Sequence, residues 1–448
     1  RGERKEMKQE LFFDADTLVI QRRGDFWVYS PSTQRWFKTN ELAATLIKQL
    51  IEAQGRVRID MMAKKVYRKY HVELTSIEIQ EMTRNLLRTG VFFPCRDSLY
   101  ASVQDSRTFR EIPKDTPLRI AYLHFTHRCN FNCWYCYNRG ITKDSSSELD
   151  CAEWIGIIEK LKAAKVEEFV ITGGEPLLRA DLHQILSEAW SAGIHFTLLT
   201  NGSLLNGDTI ERLSTVVDRF VMSFDGFSRN AYVENGAPTR QHNVLTALKL
   251  LSQRSPEKVH VRTVITKRNV HEIEYVRMRL REDYGITNYT TTIFLPNSVH
   301  EIDLIPSISG DYTFSDQFAA AYEPDVNRLK CGGATSIIAV DCRGCVYPCQ
   351  NFLEEDEFRI CSMLDDSWQQ EFLSSETREI FRSLSVDDVR ICRDCPYRYL
   401  CGGGCPAISW HVYRDLRSHL PFLCKYLRRV AVERIVSTRT KEVYRILR

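Results

Sequence analysis

Between residue 118 and about residue 300, short apolar segments alternate with segments in which apolar residues recur at helical spacing. Short apolar runs are typical of buried parallel strands, and helical spacing is typical of the helices that cover them. The predicted strands are Leu118–Phe125, Glu168–Thr172, His195–Leu199, Arg219–Ser223, His260–Ile265 and Asn288–Phe294. The predicted helices include Cys151–Lys162, Leu182–Ala192 and Gln241–Leu251. This alternation predicts an α/β fold, a (β/α)6 partial barrel of the TIM type.

The first hundred residues follow a different pattern. The predicted strands there are Leu11–Arg23, Asp25–Tyr29 and Arg35–Thr39, with Gly24 at the first turn. The predicted helices run from Asn40 to about Gly55, from about Asp60 to Tyr70 and from about Thr75 to Thr89. Alternation of apolar and polar residues supports the strands, and Asn40 is a favourable helix cap. Three strands followed by three helices is the pattern of a winged-helix-like module.

Such a module has three possible uses. Basic side chains on the second predicted helix, Lys64, Lys65, Arg68 and Lys69, would suit the phosphates of DNA. The edge of the sheet could instead pair with a guest peptide strand, and the same basic residues would then attract an acidic peptide. A structural domain with a solvated basic face is the third possibility.

A loop rich in cysteine, residues 125–138, directly follows the first strand of the predicted barrel. We call it the cysteine loop; it places Cys129, Cys133 and Cys136 in a Cys-x3-Cys-x2-Cys spacing. Three thiolates on one short loop can hold three irons of a cubane cluster and leave the fourth iron open. A zinc site would need a fourth ligand, for which His124 and His127 are the nearby candidates.

The ends of the next three predicted strands carry small and polar residues. These ends read Thr172-Gly173-Gly174-Glu175-Pro176, Thr200-Asn201-Gly202 and Ser223-Phe224-Asp225-Gly226. Paired glycines allow a ligand to approach the backbone closely, and carboxylates and hydroxyls suit amino or ribose groups. Because functional groups gather at the carboxyl ends of parallel barrel strands, we expect one pocket that holds a small polar cofactor over an iron–sulfur cluster.

Composition narrows the class of protein. A length of 448 residues and a hydrophobic content of 43% indicate several globular domains, and a net charge of +3 gives no case for a nucleic-acid or membrane partner. No apolar run reaches the ~18 residues of a spanning helix, and the charged start lacks a signal-peptide core, so we expect a soluble cytoplasmic protein. Fifteen cysteines in such a chain indicate metal ligation. Cys95 and Cys151 stand apart and are expected to be small buried hydrophobic residues.

The cysteine loop and the Gly-Gly-Glu-Pro segment together resemble the radical S-adenosylmethionine (SAM) superfamily. The resemblance implies that Cys129, Cys133 and Cys136 are the catalytic ligands of a [4Fe-4S] cluster whose open iron is chelated by SAM. Reduction of that cluster would cleave SAM to a 5′-deoxyadenosyl radical, which abstracts a substrate hydrogen. The implied SAM contacts are Tyr135, Gly173, Gly174, Glu175, Pro176, Thr200, Asn201, Ser223, Asp225, Arg262, Val264 and Leu295.

The later cysteines resemble the SPASM extension of radical SAM enzymes that modify peptides. This extension carries two auxiliary [4Fe-4S] clusters, which would bring the total to three. By position, the first would be bound by Cys331, Cys349 and Cys405, and the second by Cys392, Cys395, Cys401 and Cys424. Either Cys342 or Cys345 could complete the first cluster, or one of its irons could remain open.

Placed ahead of such a core, the N-terminal module resembles the RiPP recognition element, the leader-binding domain of enzymes that mature ribosomally made peptides. This resemblance favours peptide binding over the DNA and structural uses. The implied leader contacts are Trp36, Phe37, Lys38, Lys64, Lys65 and Arg68. The expected organisation is a recognition element over 1–100, a linker over 101–117, a radical SAM core over 118–305, a bridging region over 306–330, a SPASM domain over 331–426 and a C-terminal helix over 427–448.

The combined prediction is a maturase of the thioether-forming sactipeptide or ranthipeptide type. It would bind the leader of a precursor peptide and link a cysteine sulfur to a carbon of the peptide core. Bond formation would release one electron, which the auxiliary clusters can accept, and a flavodoxin or ferredoxin would supply low-potential electrons. The alternatives are a carbon–carbon or carbon–oxygen crosslink, an oxidase of Cys or Ser like the anaerobic sulfatase maturases, and a redox-sensing winged-helix regulator.

Overall fold

The computed structural model describes most of the chain. The described residues are 10–22, 25–33, 35–39, 41–51, 55–59, 61, 64, 68, 76–107, 116–139, 141, 147–190, 194–228, 231, 240–306 and 331–437. The structural statements below concern these residues. No helix within these ranges combines the length and the apolar character needed to cross a bilayer.

The N-terminal module, residues 10–107, contains two small antiparallel sheets packed with helices. Its strands are β1 (Glu10–Phe13), β2 (Leu18–Arg22), β3 (Asp25–Ser30), β4 (Arg35–Thr39), β5 (Arg56–Arg58) and β6 (Phe92–Phe93). Its helices are α1 (Glu41–Ile51), α2 (Ser76–Arg88) and α3 (Arg96–Arg107). One sheet has the order β2-β3-β4 and the other the order β5-β1-β6. Residues 59, 61, 64 and 68 are helical, and the rest of the predicted second helix lies outside the described residues.

The prediction of one long strand over Leu11–Arg23 was wrong, because the chain turns between β1 and β2 and the two strands join different sheets. The side chain of Asp14 causes the turn: Oδ1 accepts a hydrogen bond from Asp16 N at 3.0 Å, and Oδ2 accepts one from Ser32 N at 2.7 Å. Thr17 Oγ1 donates to the Asp14 carbonyl oxygen at 2.6 Å. An aspartate that bonds to backbone two residues later favours a turn over a continuous strand.

Helix α3 is a second difference from the expected organisation. The predicted linker over 101–117 begins inside this helix, since residues 101–107 complete it, and residues 108–115 lie outside the described ranges. Cys95 is exposed, which corrects its assignment as a buried residue. Its Sγ accepts a hydrogen bond from Ser98 N at 3.4 Å at the start of α3.

The predicted parallel sheet is confirmed. Its strands are β7 (Ile120–His124), β8 (Glu168–Thr172), β9 (His195–Thr200), β10 (Arg219–Ser223), β11 (Val259–Ile265) and β12 (Tyr289–Ile293), in the order β12-β11-β10-β9-β8-β7. All five neighbouring pairs are parallel. The helices of this region are α4 (Cys151–Ala163), α5 (Leu182–Ala189), α6 (Gly207–Leu213), α7 (Gln241–Arg254) and α8 (Ile273–Tyr284).

Side-chain alternation along the strands separates the apolar core from the inside of the partial barrel. Along β11, the buried residues are Val259, Val261, Thr263 and Ile265, and the half-buried residues are His260, Arg262 and Val264. The buried valines belong to the large apolar cluster that also contains residues of α4, α5, α7 and α8. Arg262 and Val264 alternate with that set and line a cavity, so the pattern of β11 aims them away from the helices.

The C-terminal module, residues 331–437, continues the same sheet. Strand β13 (Ile337–Val340) pairs in parallel with β7, and β14 (Cys345–Tyr347) and β15 (Cys361–Ser362) add antiparallel strands. The helices of this module are α9 (Trp368–Ser374), α10 (Glu376–Ser383), α11 (Arg398–Cys401), α12 (Pro406–Tyr413) and α13 (Pro421–Ser437). The helix predicted over 427–448 therefore begins at Pro421, and residues 307–330 and 438–448 lie outside the described part.

One face of the β2-β3-β4 sheet contacts the last helix. Val432 of α13 packs against the cluster formed by Ile20, Trp27 and Tyr29. The opposite face is covered by its own helices, since Val28 and Phe37 share a core with α1 and α2. The N-terminal module therefore packs against the last helix of the C-terminal module.

Candidate active site

A cavity of about 250 Å³ lies where the parallel strands end. The cysteine loop, the ends of β8 to β12 and a turn of the C-terminal module all contribute to its lining. Thirteen predicted residues line it: Cys129, Cys133, Tyr135, Cys136, Gly173, Gly174, Thr200, Asn201, Ser223, Asp225, Arg262, Val264 and Leu295. Thr172, at the end of a predicted strand, also lines it, whereas Tyr137, Gln350 and Asn351 were missed, among others. Gln350 and Asn351 follow Cys349 and gave no signal that they would reach this cavity.

The three thiols of the cysteine loop lie close together. Burial raises the pKa of the Cys133 thiol, and the charges of Asp225, Cys136 and Cys129 raise it further. The loop turns tightly here, since Cys136 N donates a hydrogen bond to the Cys133 carbonyl oxygen at 3.1 Å. Three converging thiols facing a cavity fit the ligand set of a cluster, because the positive charge of bound iron would favour the thiolates that burial disfavours.

The start of the cysteine loop is fixed to the Gly-Gly-Glu segment by the backbone. Gly174 N donates a hydrogen bond to the Thr126 carbonyl oxygen at 2.7 Å, and Glu175 N donates to that of Arg128 at 2.8 Å. A Cβ at Gly174 would lie 2.7 Å from the His127 carbonyl oxygen and closer still to that of Arg128. The glycine is therefore required by the approach of the loop itself, whereas the sequence suggested only the approach of a ligand.

The end of the cysteine loop is fixed to the same segment. Asn138 Nδ2 donates a hydrogen bond to the Gly173 carbonyl oxygen at 2.9 Å. Gly173 has a φ of +139°, which side-chain-bearing residues rarely adopt. Both ends of the loop thus depend on one pair of glycines.

Glu175 lies behind the cavity lining, with an exposed fraction of 1%. Its carboxylate accepts hydrogen bonds from Thr200 Oγ1 and Asn201 N, both at 2.8 Å, and from Leu177 N at 3.2 Å. Burial raises the pKa of Glu175 to about 7, against the lowering effect of these bonds. Since Thr200 and Asn201 line the cavity, Glu175 supports that wall. Pro176 is also buried and begins a short 3₁₀ turn.

Strand β10 presents two polar groups to the cavity, Ser223 and Asp225. The Tyr135 hydroxyl donates a hydrogen bond to Asp225 Oδ2. Burial raises the pKa of Tyr135, and the Asp225 charge raises it further. The phenol is therefore neutral and holds the carboxylate in one orientation, which suits a ligand that carries hydroxyl groups.

Arg262 brings positive charge into the cavity. Its Nε is buried and has no hydrogen-bond acceptor among the described residues. Burial lowers the pKa of Arg262. Burial raises the pKa of the neighbouring Tyr122 to about 12, although the positive charge of Arg262 acts in the opposite direction. A buried guanidinium with an unused donor is costly unless an anion or another acceptor binds it. A ligand carboxylate such as that of SAM fits this requirement.

The later cysteines gather in the two sets that the resemblance implied. Burial raises the pKa of the Cys349 thiol, and so do the nearby thiols of Cys331 and Cys405. Burial raises the pKa of the Cys392 thiol to about 12, and the nearby thiols of Cys401, Cys424 and Cys395 contribute to this rise. Within the described ranges, no three His, Cys, Asp or Glu side chains are arranged to hold a single metal ion. Each set remains a candidate ligand set for a metal cluster because its thiols lie near one another.

Cys342 and Cys345 belong to a different part of the hairpin. Cys345 begins β14 and Cys349 lies beyond its end, a distance on the order of 10 Å along an extended chain. The Cys342 carbonyl oxygen accepts a hydrogen bond from Leu149 N at 2.8 Å, at the turn that precedes β14. None of the fifteen cysteines, all within the described ranges, forms a disulfide.

His124 and His127 were the candidate zinc ligands. His124 is fully buried, and burial, together with the charge of His127, lowers its pKa to about 3. His124 is therefore a neutral interior residue at physiological pH. His127 Nδ1 lies 3.7 Å from Glu354 Oε1, which connects the cysteine loop to the C-terminal module.

The predicted leader contacts are only partly accessible. The side chain of Phe37 is 1% exposed in the core of the N-terminal module, so its assignment as a peptide contact is corrected. Trp36 packs beside Trp27, and Lys38 Nζ forms an ion pair with Asp25 Oδ2 at 2.7 Å. Lys64 and Arg68 are exposed, and Lys65 lies outside the described residues. Strand β4 is an edge of its three-stranded sheet as described.

Comparisons with known sequences support the interpretation of the core. Residues 123–279 match the family model of the radical SAM superfamily. A probable GTP 3′,8-cyclase of Metallosphaera sedula is 27% identical over 201 residues, 44% of this chain and 60% of the cyclase. An AdoMet-dependent heme synthase of Methanosarcina barkeri is 24% identical over 357 residues, 70% of this chain and 97% of the synthase. A PqqA peptide cyclase of Xanthomonas oryzae pv. oryzae is 23% identical over 315 residues, 64% of this chain and 82% of the cyclase.

Solved structures share the fold. Native anSMEcpe with bound AdoMet has a TM-score of 0.56 and 20% identity and covers 71% of this chain and 98% of its own. Streptococcus suis SuiB bound to SAM also has a TM-score of 0.56, with 15% identity, and covers 92% of this chain and 100% of its own. SuiB bound to precursor peptide SuiA has a TM-score of 0.55 with 14% identity, and covers 93% of this chain and 100% of its own. The chain thus contains a radical SAM domain, built on a mostly parallel α/β sheet.

Proposed function

We propose that this radical SAM enzyme matures a ribosomally made peptide by forming thioether links between cysteine sulfur and carbon. The observation that most supports this proposal is that three parts of the chain line one cavity. The cysteine loop, the polar strand ends and the turn after Cys349 all open onto it. A substrate in that cavity would therefore contact the SAM site and the C-terminal module together.

The residues that would hold SAM line this cavity. Cys129, Cys133 and Cys136 would ligate its [4Fe-4S] cluster, Arg262 would pair with a carboxylate, and Asp225 would accept hydrogen bonds from ribose hydroxyls. When bound, cluster and SAM supply a 5′-deoxyadenosyl radical that removes a hydrogen atom from carbon. Val264, Ile293 and Leu295 contribute apolar surface to the same lining.

The C-terminal cysteine sets would hold two auxiliary [4Fe-4S] clusters. Thioether formation replaces one C–H bond and one S–H bond by one C–S bond, and it releases a hydrogen atom, a proton and an electron. The auxiliary clusters would accept that electron.

The N-terminal module would bind the leader. An edge strand can accept a peptide as an additional strand, and β4 is an edge strand of its sheet as described. Lys64 and Arg68 are exposed and would attract acidic leader residues. The fold likeness to SuiB, which was solved with a precursor peptide, covers 92–93% of this chain, whereas that to anSMEcpe covers 71%. This difference favours a leader-dependent maturase over an oxidase of the sulfatase-maturase type.

The catalytic proposal is tested with reconstituted, reduced protein under anaerobic conditions. Incubation with SAM is expected to give 5′-deoxyadenosine; its absence would refute every enzymatic version and favour the regulator. Addition of the precursor peptide encoded beside the gene is expected to give a product that has lost two hydrogen atoms per link. Tandem mass spectrometry then distinguishes a thioether from a carbon–carbon or carbon–oxygen crosslink.

The leader proposal is tested by fluorescence anisotropy of the labelled leader against the full-length protein. Lys64→Glu and Arg68→Glu together are expected to weaken binding at least tenfold, because both exposed positive charges are reversed. Lys249→Glu, an exposed lysine on α7, serves as the matched control. Equal binding by the double variant and the control would contradict this placement of the leader.

A further inference from the structure

The C-terminal module supplies one wall of the cavity. Gln350 and Asn351, in a short 3₁₀ turn directly after Cys349, line it together with Arg262 and Leu295. The cysteine loop and the ends of β8 and β10 form the other walls, and these carry the groups proposed for the cluster and for SAM. The two amide side chains are polar groups of the lining that neither role uses, and Tyr137, Thr172 and Thr292 are others.

Gln350 has an unused hydrogen-bond acceptor. Its Oε1 is inaccessible to solvent and has no donor among the residues that the structure describes. Buried amide oxygens in folded proteins almost always accept a hydrogen bond. A buried acceptor beside a cavity therefore indicates a donor on the molecule that fills the cavity.

The turn that carries these amides is held rigidly. Phe352 is fully buried and lies against Phe358 with the ring centroids 4.5 Å apart. The Asn351 carbonyl oxygen accepts a hydrogen bond from His411 Nε2 at 2.7 Å. Backbone N–H groups of Asn351 and Phe352 also bond to the Cys349 thiol. The position of the wall is thus fixed relative to a proposed ligand of the first auxiliary cluster.

We propose that Gln350 and Asn351 bind a backbone amide of the substrate peptide and thereby determine which carbon is presented to SAM. A primary amide side chain offers both a donor and an acceptor, which complements the N–H and C=O groups of a peptide bond. An anionic ligand would leave Gln350 Oε1 without a donor. This inference rests on the proposed peptide substrate, and it assigns Gln350 as a positioning residue.

The probe is N-acetyl-cysteine N′-methylamide, the smallest unit with a peptide bond on each side of a cysteine. Its binding to unreduced protein loaded with clusters and SAM is measured by saturation-transfer NMR. Gln350→Leu is expected to lower the affinity for the probe at least tenfold and to change the affinity for SAM, measured by calorimetry, less than twofold. Gln350→Asn keeps the amide and is expected to recover part of the loss. Gln369→Leu, an exposed position on α9, is the matched control.

A second measurement follows the transfer of deuterium from the probe to 5′-deoxyadenosine. With probe deuterated on its cysteine carbons and dithionite as reductant, transfer moves one deuterium atom to C5′ of 5′-deoxyadenosine. The probe carbon radical is then quenched by one electron from dithionite and one proton from water. Gln350→Leu is expected to release as much 5′-deoxyadenosine as wild type with at least tenfold less deuterium in it.

Three results would overturn the inference. They are equal deuterium transfer by wild type and Gln350→Leu, a tenfold loss of SAM affinity in Gln350→Leu, and wild-type 5′-deoxyadenosine that carries no deuterium. A tenfold loss of SAM affinity in Gln350→Leu would mean that Gln350 contacts SAM and not the peptide. Absence of 5′-deoxyadenosine from the wild-type reaction is a different failure, because it refutes the proposed function itself.

Discussion

Replacement of Gly174 by alanine tests whether the Gly-Gly-Glu segment positions the cysteine loop. The new methyl group would lie 2.7 Å from the His127 carbonyl oxygen, inside the 3.0 Å that Cβ atoms essentially never cross, and closer still to that of Arg128. Both neighbours are backbone atoms of the loop that leads to Cys129. Because backbone cannot rotate away as a side chain does, the loop must move.

The cost follows from the two hydrogen bonds between these segments. Gly174 N to Thr126 O and Glu175 N to Arg128 O are 2.7 and 2.8 Å long, and both would be stretched or broken. A net loss of ~1 kcal/mol for each bond, or up to ~3 kcal/mol if its groups stay buried and unpaired, gives roughly 2–6 kcal/mol in total. Since about 1.4 kcal/mol is a factor of ten in an equilibrium constant, we expect SAM affinity to fall at least tenfold.

The assay measures iron per chain after reconstitution and SAM binding by anaerobic calorimetry. Gly174→Ala is expected to lose about four of about twelve irons, those of the cluster held by the loop. Gly156→Ala is the matched control, because that exposed helix glycine has open space around its Cα and gains ~0.5–1 kcal/mol of stability. Full iron content and wild-type SAM affinity in Gly174→Ala would refute the reasoning, as would equal damage in the control.

Three further predictions concern other parts of the chain. Burial raises the pKa of Glu175 to about 7, so the carboxylate loses its charge as the pH falls below 7. SAM affinity, measured by calorimetry, should therefore drop roughly tenfold between pH 8 and pH 6. In Glu175→Gln the affinity should not change with pH over this range. Cys405→Ala should lose about four irons while Cys151→Ala keeps all of them; equal iron analyses would contradict the first auxiliary site. Asp14→Ala leaves the N–H of Ser32 without its acceptor and should lower the free energy of unfolding by ~1–3 kcal/mol in urea titration, and an unchanged midpoint would argue against the proposed turn.

The sequence was sufficient for the parallel sheet and for most of the cavity. Apolar runs such as Glu168–Thr172 coincide with observed strands, and the polar residues that follow them meet because parallel strands end on one side. The resemblance to the SPASM extension implied that Cys331, Cys349 and Cys405 form one set, and the structure places Cys331 and Cys405 near the Cys349 thiol.

Features that depend on distant parts of the chain escaped prediction. Strands β5 and β6 have three and two residues, too few for a periodic pattern, and they form only because β1 pairs with both. Gln350 reaches the cavity because β13 joins the sheet beside β7, a pairing between segments about two hundred residues apart. Phe37 belongs to an alternating strand whose two faces are both covered, and alternation does not show which face is free.

The parallel pairing of β13 with β7, from Ile337 beside Ile120 to Val340 beside Leu123, has a practical consequence for engineering. Backbone hydrogen bonds between strands do not depend on which side chains the strands carry, but each strand needs its neighbouring strand to be present. A truncation that ends between residues 306 and 331 would remove β13 and leave β7 as an open edge of the sheet. Shortened variants of the chain should therefore keep residues 331–362 together with the parallel sheet.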